Sequence, residues 1–407
     1  MSELLHDWNS PVAGRAFTLL DETLRDGIQS PSVRNPEIEE KLELLHAMES
    51  CGIQHVDVGL PGAGDQAVAD VTRLVEEIRS QRLRIRPNCA ARTHPHDIRA
   101  VLQIAQRTGH PIEVCAFLGS SPMRRLVEGW SLEQLERFVA DSIELVVAHD
   151  LSASFVTEDT IRTDPATLRR LFRVAVDSGA TRLVLTDTAG HATPSGLANL
   201  VRFTRALLAE WGCRHVELDW HGHNDRGLSL TLCLSALEEG VERLHGTCLG
   251  IGERVGNAPI DLLILNLRLL GLWQGDLRSL SAYVEKASRF LSVPIGCNYP
   301  AFGSDAFRTS TGVHAAAILK ALRTGRPELA DRIYSSIPAS ELGRHQQVEV
   351  GYYSGRANAQ IWLAEHGLEC DELRQQAILE LAKSSRRTLP ESEIVAHLTR
   401  LGLGAQA

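Results

Sequence analysis

SLEQLERFVADSIELVVAHDLSASFVTED, residues 131–159, sets one helix directly before one strand. Ser131 followed three residues later by Gln134 is a capping box, and the apolar residues behind it recur at helical spacing, so a helix is expected over 131–149. SASFVTED (152–159) is instead a short apolar run of strand type. The same beat fills the first 270 residues. Further strands are expected near FTLLDETL (17–24), HVDVGL (55–60), LRIRPNCAA (83–91), IEVCAFLG (112–119), RLVLTDT (182–188), HVELDWHG (215–222) and RLHGTCLG (243–250). Strands separated by helices at about 30-residue spacing imply a parallel sheet, because parallel neighbours need a crossover. Eight such units in about 250 residues fit a closed (β/α)8 barrel, the TIM-barrel arrangement, better than an open doubly wound sheet. GIGERVG (250–256) is one residue off the dinucleotide pattern and follows the eighth strand, not the first, so it reads as a tight turn or a phosphate loop. No P-loop is present.

After about residue 275 the alternation stops. SVPIGCNYPAFGSDAF (292–307) collects Pro and Gly and reads as an exit linker. GVHAAAILKALRT, ANAQIWLAEHG, CDELRQQAILELAKSS and PESEIVAHLTRL then carry helical spacing. The expected organisation is an α/β barrel over 1–290, a linker and helical subdomain over 291–345, and a small helical C-terminal subdomain over 346–407, with no room for a large regulatory domain.

With 43% hydrophobic and 23% charged residues among 407, the composition is that of a globular chain. A formal net charge of −9 argues against nucleic acid and membrane surfaces as partners. The eight cysteines form no CxxC pair and several lie in apolar runs, as buried free thiols of a reducing compartment would. MSELLHDWNSP lacks the basic and apolar regions of a secretory leader, and IDLLILNLRLLGLW is interrupted by Asp, Asn and Arg. A soluble cytoplasmic protein is expected.

In such a barrel the C-terminal ends of the strands share one mouth. Those ends bring Arg25 and Asp26, Asp57, Arg92, Ser120 and Ser121, Glu158 and Asp159, Asp187 and Thr188, His221 and His223, then Glu253, Arg254 and Asn257. Residue types of this kind bind metals and oxyanions. His221 and His223 stand two apart on an extended segment, with Cα atoms about 6.5–7 Å apart on one face. Two imidazoles so placed can meet one cation through bonds of about 2.1 Å, or can simply bond the backbone. Asp26, arriving from the strand that closes the barrel, would complete two His and one carboxylate and leave open positions on a divalent ion. Arg25 reads either as a donor to a developing oxyanion or as an ion-pair partner of Asp57 or Glu253. Thr188 reads as a donor to a substrate carboxylate or a helix cap, and Glu158 as a base or the partner of Arg162.

DETLRDGIQS (21–30), FVTED (155–159), DTAGHATP (187–194), HGHND (221–225) and GIGERVGN (250–257), in this order, resemble the motifs of a family of metal-dependent carbon–carbon bond enzymes. It includes 2-isopropylmalate, homocitrate and citramalate synthases and HMG-CoA lyase. The likeness runs from about residue 17 to 360. It implies that Asp26, His221 and His223, with Asn257, hold Mn, Zn or Mg, and that a 2-oxo acid binds there, helped by Arg25, Gln29, Arg92 and Thr188. It implies that acetyl-CoA or a similar acyl-CoA condenses with the oxo acid in a Claisen-type step completed by thioester hydrolysis. STGVHAAAILK (310–320) is similar to the synthase segment around a catalytic histidine, here His314, and Tyr334 in RIYSSIP resembles the synthases' tyrosine. In the family that histidine comes from the other subunit of a homodimer with exchanged C-terminal segments and works with the strand-five glutamate, here Glu158.

The chain departs from the synthase pattern at Asp57, Ile28, Thr309, Ala316 and GYYSGR (351–356). Asp57, in place of a glutamate, is expected to give shorter support to the metal. Two other readings stand beside the synthase. One is a lyase, although 250–257 lacks the loop cysteine lyases use and Cys248 lies just before it. The other is a barrel that binds ligand without turnover. Arg92, Arg124 and Arg125 are candidates for a second substrate carboxylate, for CoA phosphates or for solvent.

Overall fold

Each of the eight apolar runs forms a strand. The computed structural model describes His6, Trp8, Asn9 and residues 16–404. The strands are β1 (Thr18–Asp21), β2 (His55–Asp57), β3 (Arg86–Arg92), β4 (Glu113–Gly119), β5 (Ala153–Glu158), β6 (Arg182–Asp187), β7 (Glu217–Gly222) and β8 (Arg243–Gly246). They pair in parallel, in sequence order, and β8 returns to β1 to close the barrel. The reading from MSELLHDWNSP falls on residues that, His6, Trp8 and Asn9 apart, lie outside the described chain.

The strands are shorter than the apolar runs for local reasons. β1 stops because the Thr23 amide donates to the Asp21 carboxylate at 2.8 Å and Gly27 N–H donates to the Glu22 carbonyl at 3.0 Å, folding the chain back. β3 starts late because Arg84 and Ile85 give their amides to Glu49. β8 ends early because Thr247 leaves the barrel ladder and gives its amide to the Ala258 carbonyl at 3.0 Å. The expected helix over 131–149 runs from Leu132 to Val147, with both bonds of the Ser131–Gln134 capping box made. It buries Leu135, Val139, Ile143 and Val146 on one face. Each such aliphatic side chain contributes about 1.5–3 kcal/mol.

Packing inside the barrel is not apolar throughout. Arg243, fully buried on β8, donates to Asp219 on β7 at 2.7 Å and to both oxygens of Glu113 on β4 at 2.6 and 2.7 Å. An ionic cluster thus occupies barrel space that apolar layers usually fill.

Contacts divide the chain into two units, Met1–Pro294 and Ile295–Ala407. The second unit holds helices Gly312–Arg323, Pro327–Arg332, Arg356–Glu365, Glu372–Ser384 and Glu391–Arg400, with a short parallel pair between Arg308–Thr309 and Gln347–Val348. Helix Arg356–Glu365 serves two apolar clusters, Ala357 and Ile361 facing one and Ala359, Trp362 and Leu363 the other. Among the described residues no helix is long and apolar enough to cross a membrane. All eight cysteines are free; five are buried, Cys213 is half-buried, and Cys297 and Cys370 are exposed.

Candidate active site and metal centre

Asp26, His221 and His223 meet at one point. The turn after β1 carries Asp26 inward, while His221 lies on β7 and His223 just beyond it. Asp26 Oδ2 stands 3.9 Å from His221 Nε2 and 4.0 Å from His223 Nε2. These separations exceed a hydrogen bond. All three ligand atoms lie within 4.8 Å of one another, a spacing from which small side-chain rotations bring them onto one cation with bonds of about 2.1 Å. Burial pushes the His223 imidazole down to about 4, which keeps it neutral, the form that ligates. Asn257 Nδ2 donates to Asp26 Oδ1 at 2.9 Å, and its side-chain oxygen Oδ1 is buried without a partner. An orphaned acceptor beside three convergent donors is what a bound cation would satisfy, so the residues fit a divalent metal.

Glu22 supports this set. Its Oε2 accepts from His221 Nδ1 at 2.6 Å, which turns the Nε2 lone pair toward the shared point. Its Oε1 accepts from Arg25 at 2.8 Å and meets His245 Nδ1 at 3.2 Å. His245 Nε2 in turn lies 3.0 Å from Asp219 in the ionic cluster. Burial works against ionising Glu22, but its contacts with His221, His245 and Arg25 outweigh that and hold the carboxyl well below its ordinary range. Burial likewise opposes a charge on His245, yet Glu22 and Asp219 on either side raise it. Arg25 is held by three carboxylates: Asp57 at 2.7 Å, Asp26 at 2.8 Å and Glu22 at 2.8 Å. Asp57 therefore anchors Arg25, which in turn holds Asp26, while Glu22 supports His221. Of the two partners weighed for Arg25, Asp57 is the one engaged.

The site opens into a cavity of about 300 Å³ lined by Arg25, Gln29, Glu158, Thr188, His221 and His223 among others. Burial raises the Glu158 carboxyl, with Arg124 opposing from 3.6 Å. Arg162 pairs with Asp159 instead, at 2.7 Å. Thr188 Oγ1 accepts the Asp159 amide at 2.8 Å; the helix beginning at Pro194 is capped by Thr193. Arg92 is not brought to the cavity. Its guanidinium forks onto Asp97 at 2.7 and 3.0 Å, and its side chain is 60% exposed. Arg254 arches over from the β8 loop, holding Asp225 at 2.9 Å and the Thr188 carbonyl at 2.6 Å. Cys248 is fully buried and burial pushes its thiol well up.

His314 and Tyr334 belong to the second unit. Their rings stack with centroids 3.9 Å apart, and Thr309 Oγ1 lies 3.4 Å from His314 Nδ1. Ser354 of GYYSGR donates to the Ser310 carbonyl at 2.8 Å and so pins the strand that leads into the His314 helix. Sequence reasoning missed Glu22 and His245. A signal existed for both: Glu22 is a carboxylate four residues before Asp26, and alternation along RLHG puts His245 on the face of Arg243.

The HMGL-like family model matches residues 16–284. Homocitrate synthase AksA of Methanopyrus kandleri is 31% identical over 369 residues, covering 89% of this chain and 86% of that protein. A probable 2-isopropylmalate synthase of the same organism is 29% identical over 373 residues, covering 90% of this chain and 69% of that protein. Among solved structures, the HMG-CoA lyase of Bacillus subtilis superposes with a TM-score of 0.59 at 18% identity, over 70% of this chain and 97% of that one, a likeness of fold.

Proposed function

The chain belongs to the HMGL-like family, and on that premise we propose that it condenses an acyl-CoA with a 2-oxo acid and releases free CoA thiol. It is an enzyme, a transferase. The observation that carries the reading is the meeting of Asp26, His221 and His223 at the edge of a cavity that also holds the half-buried Glu158 carboxyl.

In this reading Asp26, His221 and His223, with Asn257, hold a divalent cation. The cation, when bound, polarises the ketone of the oxo acid and anchors its carboxylate. Arg25, kept charged by its three carboxylates, faces the oxygen on which negative charge grows. Thr188 and Gln29 orient the oxo acid from the cavity wall. The α-carbon of the acyl-CoA gives up a proton to the Glu158 and His314 pair, and the resulting carbon nucleophile attacks the ketone carbon. The new alkoxide takes back a proton, and water then cleaves the thioester. His314 and Tyr334 are supplied by a second copy of the chain, in a homodimer with exchanged C-terminal segments. Val313, 75% exposed beside His314, is apolar surface for that copy to cover.

The test is CoA-thiol release from acetyl-CoA with divalent metal and a panel of 2-oxo acids, with Asp26→Asn and His314→Ala alongside. Thiol release that both substitutions reduce by at least about 10²-fold is expected. Cleavage of a hydroxyacyl-CoA with no condensation would establish a lyase instead. The buried Cys248 offers no thiol at the mouth for that chemistry.

A further inference from the structure

The cavity has two chemically different walls. β7, β8 and β1 give it His221, His223, His245 and, just after β1, Glu22. β3 to β6 give it Ala90, Cys115, Phe117, Val156 and Val184. The ladder register makes these five a continuous surface: Ala90 lies beside Cys115, Phe117 beside Val156, and Val156 beside Val184. Two polar side chains share that wall, but Glu158 is itself an acid and the Thr186 hydroxyl donates to the Thr157 carbonyl at 2.6 Å, so neither offers a second carboxylate a cation. Ala90 and Cys115 are small enough to leave depth in a space of about 300 Å³.

The arginines at or near the cavity already hold carboxylates, and Arg125, bonded to Thr167 Oγ1 at 3.1 Å, is not among the residues that line it. Arg25 has its charge balanced by Glu22, Asp26 and Asp57, beside the ligand set on the polar side of the cavity. Arg254 is held by Asp225 and the Thr188 carbonyl. Arg92 is locked to Asp97 away from the cavity, and Arg124 lies between Glu128 at 3.1 Å and Glu158 at 3.6 Å. With its ketone and first carboxylate on the polar side, an oxo acid projects its remaining substituent at the apolar wall. A charge there would be desolvated without a partner.

We infer that the oxo acid of this chain carries an apolar side chain of about three carbons or more, branched or aromatic, and no second carboxylate. The inference rests on the synthase reading above and narrows it. The full-length protein with divalent metal and acetyl-CoA is offered 2-oxoisovalerate, 4-methyl-2-oxopentanoate, phenylpyruvate, pyruvate, oxaloacetate and 2-oxoglutarate. Binding of each acid without acyl-CoA is followed by calorimetry. The best apolar acid is expected to exceed 2-oxoglutarate by at least about 10²-fold in kcat/KM and to bind more tightly. Val156→Lys is expected to reverse part of that ratio by giving the wall a cation, and Ala90→Leu to shift preference toward pyruvate by filling it. Turnover of 2-oxoglutarate or pyruvate by the unaltered protein, equal to or better than that of the apolar acids, overturns the inference and leaves the synthase reading standing. Thiol release with none of the acids overturns both.

Discussion

Glu22 contacts three groups of the site, as many as Arg25 does. One carboxylate orients His221, takes a bond from Arg25 and faces His245. Glu22→Gln keeps the shape but removes the charge that fixes the His221 proton on Nδ1. Metal affinity, read by chelator competition, is expected to fall about 10–100-fold with the circular dichroism spectrum unchanged; an unaltered affinity would deny Glu22 this role. Glu158 gives a pH prediction. Burial raises its carboxyl above the ordinary 4.5, so it stays protonated to a higher pH than an exposed glutamate. If the carboxylate is the working form, kcat/KM rises with pH through that raised value. Arg124 is the group opposing the shift, so Arg124→Gln is expected to move the acid limb further up, and Glu158→Gln to remove it. A limb that neither substitution moves would detach Glu158 from catalysis. Asp26, His221 and His223 were legible in the sequence because ligand chemistry is narrow and an HxH spacing on a strand fixes a shared face. Glu22 was less so, since its worth depends on partners about two hundred positions away, at His221 and His245.

The loop after β8 shows how an element can be read correctly in place and incompletely in purpose. Its glycine spacing admits a phosphate loop or a tight turn, and the structure uses it to bring backbone against the ligand set. Gly252 has φ 146°, and a Cβ there would lie 2.2 Å from Asn257 Nδ2 and 2.9 Å from Asp26 Oδ1. At Gly256, φ 85°, a Cβ would meet the Gly250 carbonyl oxygen. Gly252→Ala must displace Asn257 or Asp26 while leaving the barrel's strands untouched. Its metal affinity is expected to drop at least about 10-fold with thermal stability nearly kept, and wild-type affinity in that variant would show the loop is free to move aside. Strand and helix positions were legible because the contrast between short apolar runs and helical spacing is local. Their ends were not, because they are set by side-chain bonds from elsewhere, such as Glu49 on the amides before β3. In the second unit, Thr309 stands where the synthase pattern has His, yet it reaches His314 Nδ1, so the departure keeps a polar contact there.

Across the whole barrel, the same inward alternation produces three different interiors: an ionic cluster, a polar ligand wall and an apolar wall. Alternation tells which residues point inward but not which of them meet, and Arg243 and Glu113 are 130 positions apart. The cluster makes barrel stability depend on acid. Burial disfavours the Glu113 carboxylate, but Arg243 outweighs it and lowers the group from 4.5 to about 2. A carboxylate depressed on folding contributes stability that is present above its ordinary value and lost as pH falls through the folded one. His55, beside Arg243 at 3.3 Å, is pushed by burial and by that charge from 6.5 down to about 3. It stays neutral in the barrel where an unfolded chain would take up a proton, so it adds a loss that begins below about 6.5. The contribution of these two groups to stability, measured by denaturant midpoint, should therefore decline from about pH 6.5 and steepen between 4.5 and 2, opposed between about 6 and 3.8 by Asp21 and Asp57, whose carboxyls burial raises to about 6. Glu113→Gln leaves the buried Arg243 with Asp219 as its remaining carboxylate, and about 3–5 kcal/mol of stability should be lost at neutral pH. The same variant should decline less steeply below pH 4.5, because the depressed group is gone. An acid profile identical to that of the unaltered chain would mean that the cluster's charges are already screened by water, and that the barrel is held by its apolar helix faces alone.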